Sequence, residues 1–271
     1  TGREAALKEA AAMQKQGAMV RAVVLSAKEK SCPEESLRCH PDYCTRAKGH
    51  YERERDALDE ALDSFLWDAE YISALSQKHH LCPFEASLSL CLYADVVVCD
   101  YNYALDPIVY LQRVFDTTRE VTLLVDEAHN LPGRVTDMLS TTLSGNEVAL
   151  WRREAGKHHG RSSPVYKGLT ALLTALRGLP DALDSPPEEV LTALELLAPL
   201  GHHLPLQAGR ELYRFAFLIR RAQQLPQDYA PFVEKEGKEV RLTLLCLHVT
   251  DYLKERTHKK RGCVFFSATL S

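Results

Sequence analysis

Hydrophobic positions along the chain follow distinct rhythms. Short apolar runs at 20–25, 95–99, 121–125 and 262–266 are rich in Val, Leu and Phe and read as buried strands. Another run, 240–247, reads as a strand returning to the α/β domain. Between them, residues 2–16, 48–65 and 68–79 carry apolar residues at helical spacing among good helix formers. From 140 to 238 the rhythm changes. Val165, Leu169, Leu172, Leu173, Leu176 and Leu179 share one helical face, as do Leu191, Leu194 and Leu197, then Leu212, Phe215, Ile219 and Ala222. Prolines at 180, 186, 187, 199 and 205 punctuate these stripes. This region reads as an all-helical insertion whose leucines form a core, set into an α/β protein.

Composition changes the picture little. The chain has 271 residues, 45% hydrophobic and 26% charged, so it can bury a core and is not a disordered tail. No apolar run approaches the roughly 20 residues of a membrane helix. With 33 Lys and Arg against 37 Asp and Glu, a bulk polycation is excluded but a local basic groove is not. His158-His159 and His202-His203 are adjacent in sequence and face different ways on a helix, which disfavours a metal site.

The eight cysteines divide by surroundings. Cys91, Cys99, Cys246 and Cys263 lie in apolar runs and read as small core hydrophobes. Cys32, Cys39 and Cys44 stand in a polar loop with Pro33, Pro41 and Asp42, and Cys82 precedes Pro83. Four thiols outside a core suit an iron–sulfur cluster or structural zinc. Spacing alone leaves both open. His40 and His50 are nearby alternates, although a lone loop histidine is read as solvated.

Residues 121–129 spell Val-Thr-Leu-Leu-Val-Asp-Glu-Ala-His. A buried strand ending in adjacent carboxylates delivers them to the crevice of a parallel sheet. In a nucleotide-hydrolysing site, a strand-end Asp such as Asp126 is expected to hold Mg²⁺ and a neighbouring Glu such as Glu127 to polarise the attacking water. A strand followed by an acidic helix start would look similar, but Asp-Glu-Ala-His after four apolar residues is the more specific DEAH box. The later strand ends in Ser267-Ala268-Thr269.

In this order the motifs resemble the XPD/DinG-type iron–sulfur DNA helicases of superfamily 2. Residues 25–32 (Leu-Ser-Ala-Lys-Glu-Lys-Ser-Cys), 47–50 (Ala-Lys-Gly-His), 82–87 (Cys-Pro-Phe-Glu-Ala-Ser) and 96–107, with its Tyr-Asn-Tyr turn, carry the likeness beside the DEAH box and Ser-Ala-Thr. The resemblance implies a RecA-like parallel sheet, incomplete in this chain, in three parts: 1–31, 93–139 with the DEAH box, and 239–271 with Ser-Ala-Thr. It implies a mostly helical iron–sulfur domain at 32–92 and an all-helical arch domain at 140–238. It assigns a [4Fe-4S] cluster to Cys32, Cys39, Cys44 and Cys82. Catalysis falls to Asp126, Glu127 and His129, with Ser267, Ala268 and Thr269 coupling ATP and Mg²⁺ to movement along DNA in the 5′→3′ direction.

Single-stranded and forked DNA are the implied partners, with Lys28, Lys30, Arg38, Lys48, Tyr101 and Tyr103 as contacts. Arg46, Tyr43 and Tyr51 lie in the same region, which Glu29, Glu34 and Glu35 dilute. A cytoplasmic, bacterial, nucleoid-associated protein is expected. The sequence holds no G-x-x-x-x-G-K-[ST] phosphate loop. It is therefore expected to be a piece of the first motor domain, inactive alone. The rival readings are a non-motor DNA-binding or nuclease-associated relative and a zinc-stabilised interaction module.

Overall fold

The computed structural model describes residues 2–34, 39–116, 121–204, 206–258 and 260–268. The chain divides into two compact units: 1–104 with 109–121, and 105–108 with 122–271.

The first unit begins with α1 (Gly2–Lys15) and β1 (Ala22–Val24), whose residues are fully buried. A short α2 (Lys28–Ser31) opens the cysteine region, followed by α3 (His50–Ala61), β2 (Leu66–Trp67), α4 (Ala69–Lys78) and α5 (Pro83–Leu90). Then come β3 (Val96–Val98), α6 (Tyr101–Leu105) and α7 (Gln112–Phe115). The strands form a parallel sheet in the order β2-β1-β3. Asp95 Oδ2 accepts the Arg21 N–H at 2.8 Å, and Arg21 O accepts the amides of Asp95 and Val96, which pins the register of β3 on β1. Trp67 is the largest fully buried side chain, and its indole N–H donates to Ala61 O at 2.9 Å, so its one polar atom is satisfied. Asp68 caps α4 by accepting the Tyr71 N–H at 2.9 Å.

The second unit starts with β4 (Thr122–Val125), a 3₁₀ turn at Ala128–Asn130, α8 (Leu131–Leu139), β5 (Thr141–Ser144) and α9 (Gly145–His158). It continues through α10 (Pro164–Gly178), α11 (Glu188–Leu197), α12 (Leu206–Gln224), β6 (Tyr229–Glu236), β7 (Glu239–Cys246), α13 (Thr250–His258) and β8 (Gly262–Phe265). The predicted leucine stripes are buried: Leu169, Leu172, Leu176, Leu194 and Ile219 are among the least exposed residues. A Cβ at Gly168 would sit 2.7 Å from Leu197 Cδ2, so glycine lets α10 and α11 pack closely.

The mixed α/β class stands, with differences inside it. Residues 140–238 hold the helices α9 to α12, yet β5 and β6 belong to them too. β7 pairs antiparallel with β5 and β6 instead of entering a parallel sheet. The reason is legible in its burial: Val240, Leu242, Leu244 and Cys246 face the core, while Arg241 and Leu245 face out. That alternation belongs to a sheet covered on one side. Gly237, at φ +60°, closes the β6–β7 hairpin, where positive φ is required. The parallel strands expected in one sheet lie in two, β2-β1-β3 and β4-β8. β4 and β8 have no further neighbours among the described residues, so Leu124 and Val264 are exposed where burial on both faces was expected. No helix of the described residues is long and apolar enough to cross a membrane.

Candidate functional site: an acidic strand end and a cysteine cavity

Each unit carries a group of residues that the sequence singled out. In the second unit, β4 and β8 run parallel with Val125 opposite Phe265. The ladder continues past both strands, as Phe266 N–H donates to Val125 O at 3.0 Å and Ala128 N–H to Phe266 O at 3.1 Å. These bonds carry the DEAH residues and the Ser-Ala-Thr start to one place. His129 Nδ1 lies 2.6 Å from Ser267 Oγ, and the Ser267 hydroxyl donates to Glu127 Oε2 at 3.2 Å. His129 Nδ1 is also 3.3 Å from Glu127 Oε2. All three distances are satisfied when Nδ1 carries the proton.

Glu127 has φ +49°, the left-handed region that costs a residue with a Cβ on the order of 1–3 kcal/mol. Asp126 Oδ1 accepts the Glu127 N–H at 2.8 Å, which helps hold that turn. The carboxylates of Asp126 and Glu127 are open to solvent, as a phosphate- or metal-facing pair must be. Ala268 is exposed in the turn after Ser267; Thr269 lies outside the described residues. The strained turn at Glu127 was not legible, because glutamate gives no signal for positive φ.

In the first unit, Cys32, Cys39, Cys44 and Cys82 all line one cavity of about 210 Å³. Cys82 is the residue before α5, with Pro83 opening the helix. Burial pushes its thiol up, while the backbone N–H groups of Glu85 and Phe84 and the charge of Lys28 work against that rise. Among the described residues, no three His, Cys, Asp or Glu side chains converge on a point that would hold a single metal ion. The four thiols line one cavity, and four thiolates are a donor set whose chemistry fits an iron–sulfur cluster.

Two arginines join the segments that bear these cysteines. Arg46 donates to the carbonyls of Ser76 and Leu81 at 3.1 and 3.0 Å. Arg53 donates to Lys48 O and His80 O at 2.9 Å each, and to the Thr45 and Arg46 carbonyls. Thus the loop carrying Cys44 is bound to the turn before Cys82. Sequence reading missed Arg53 altogether and grouped Arg46 with the DNA contacts. His50, read as solvated, is only 3% exposed and lines the cavity.

The other predicted contacts scatter. Lys28 also lines the cysteine cavity, its Nζ 5.4 Å from the Phe84 ring centre. Lys30 borders a separate cavity of about 480 Å³, with Ser26, Glu70 and Gln77. Lys48 is exposed, Tyr101 half-buried, and Arg38 outside the described residues. Tyr103 packs on the core, donates to Ser26 O at 3.4 Å, and has its phenol pushed up by burial.

Comparison with known proteins bears on the family and the fold. The DEAD_2 family matches residues 4–148. The chain is 32% identical over 106 residues to the Fanconi anemia group J protein homolog of Gallus gallus, covering 39% of this chain and 8% of that protein. It is 30% identical over 146 residues to the Regulator of telomere elongation helicase 1 homolog of Drosophila ananassae, covering 48% of this chain and 14% of that one. It thus spans a small part of the curated relatives it matches. A solved structure, "Truncated XPD", superposes over 100% of this chain and 80% of that one, with TM-score 0.57 and 17% identity, which supports a shared fold. The chain belongs to the DEAD_2 family of XPD/DinG-type superfamily 2 helicases.

Proposed function

We propose that this chain is the part of an ATP-dependent, 5′→3′ DNA helicase that carries its hydrolytic acids and a [4Fe-4S] domain. The hydrogen-bonded group of Glu127, Ser267 and His129 at the ends of β4 and β8 carries the reading. In this reading Asp126 would hold Mg²⁺ and Glu127 would take a proton from the attacking water. Ser267 and His129 join the base to the loop after β8. Any shift of Glu127 during turnover would therefore reach Ser267, and Thr269 is proposed to pass it on to the DNA. Magnesium bound with ATP supplies neutralisation of the phosphate charge.

Cys32, Cys39, Cys44 and Cys82 would hold the cluster, which supplies a cross-link among the segments that Arg46 and Arg53 already tie. Residues 32–92 form the cluster domain and 140–238 the arch in this reading, with the motor in the remaining segments. Lys28, Lys30, Arg38, Lys48 and Tyr101 are proposed to touch single-stranded or forked DNA at separate points. Tyr103 supports that surface from the core.

Positioning by the phosphate loop is a large part of such catalysis. The test therefore uses a polypeptide joining this chain to such a loop. Glu127→Gln there is expected to lower kcat for DNA-stimulated ATP hydrolysis by about 100-fold or more, with nucleotide binding retained. Undiminished hydrolysis would overturn the assignment.

A further inference from the structure

His50 is the first residue of α3 and stands against the wall of the cysteine cavity. Its Nδ1 accepts the backbone N–H of Cys82 at 3.3 Å, across 32 residues of chain. Its Nε2 lies 3.3 Å from Glu54 Oε1, one helical turn along α3. Since Nδ1 accepts, Nε2 carries the proton and donates to the carboxylate. Both partners are buried, His50 at 3% and Glu54 at 8% exposure. Burying a carboxylate is costly unless it is bonded, and here it is bonded to a histidine whose other nitrogen holds the backbone of a cysteine. Gly49, at φ +65°, sets the turn from which α3 and the imidazole depart.

We infer that His50, oriented by Glu54, is a positioning residue for Cys82: it fixes the backbone of the fourth cysteine and so sets how firmly the site holds its cluster. The inference rests on the cluster reading above. Its physical content is specific. With its amide bonded to His50, Cys82 has no backbone N–H to give to cluster sulfur. Freed of His50, that amide can turn to sulfur, and hydrogen bonds to cluster sulfur raise the reduction potential. Loss of His50 thus loosens the site and shifts the potential upward together, whereas a mere packing defect would only loosen it.

The experiment compares the anaerobically reconstituted full chain with its His50→Phe, His50→Gln and Glu54→Gln variants. The readouts are iron release to a chelator and the midpoint potential of the bound cluster. Phe fills the space without an acceptor. Gln offers a carbonyl to the Cys82 amide and an N–H to Glu54. H50F is expected to release iron about tenfold faster or more, the scale found for residues behind metal ligands, and to have a more positive potential. H50Q should remain near the parent in both. E54Q keeps the imidazole but removes the charge orienting it, so it should show the same changes to a smaller degree. It decides the matter should H50F fail to fold by circular dichroism. Release rates and potentials equal to the parent in H50F and E54Q overturn the inference while leaving the cluster intact. A parent that takes up no iron and sulfide overturns the cluster reading instead.

Discussion

Eight thiols in one chain differ chiefly in what surrounds them. Burial pushes the thiol of Cys91 up strongly and that of Cys99 up to about 12, because a thiolate has little to solvate it among apolar side chains. Cys39, by contrast, is exposed. Alkylation needs the thiolate and access to it. In the native cluster-free chain at pH 8, iodoacetamide should therefore modify Cys39 well before Cys91 and Cys99, as read by peptide mass spectrometry. Equal rates at all three would show that Cys91 and Cys99 are not in the core. The division of the cysteines was legible in part: Cys91 and Cys246 are buried and Cys39 is exposed, but Cys99 and Cys263, read as core, are half-buried like Cys32, Cys44 and Cys82. The placement of His50 was not legible. Its fate depends on a hydrogen bond to Cys82, and nothing local records a partner that distant.

Among the elements, long helices were the most legible and short strands the least. Residues 2–16 became α1 (Gly2–Lys15) and 68–79 became α4 (Ala69–Lys78), because helical periodicity and the cap at Asp68 are local properties. Strand pairing is not local. β2 is only Leu66–Trp67 and joins β1 through its backbone, leaving no period to read. β7 did carry a period of two, which an emphasis on its total hydrophobicity obscured. The stripes of α10 and α11 can be tested individually. Leu172 is fully buried and Leu196 is 60% exposed. Leu172→Ala is expected to cost about 2–5 kcal/mol of unfolding free energy, through lost transfer and the cavity left behind. Leu196→Ala should stay within about 0.5 kcal/mol of the parent. Urea denaturation distinguishes them; similar losses would place Leu172 outside the core.

On the scale of the whole molecule, a DEAH strand, a Ser-Ala-Thr strand and a cysteine-rich region coexist in a chain of modest net charge, −4. The acidic strand end is assembled by backbone pairing of β4 with β8, residues 138 positions apart meeting at His129 and Ser267. Motif order indicated that these residues belong together; their hydrogen bonding and the left-handed Glu127 required the fold. The cysteine cavity is assembled differently, by side chains. Arg46, Arg53 and His50 each reach across tens of residues to bring Cys44 beside Cys82. A charged side chain that donates to several carbonyls there stabilises a loop with little apolar surface of its own. We propose that this scaffold gathers Cys32, Cys39, Cys44 and Cys82 for one polynuclear cluster.

Iron and acid-labile sulfide measured in the anaerobically reconstituted chain, beside a Cys82→Ser variant, test that claim most directly. The expected result is a brown protein with roughly four irons and four sulfides per chain, bound through four cysteines, and marked loss of both in C82S. A colourless parent holding one zinc, or a C82S variant retaining the full iron and sulfide, would contradict it.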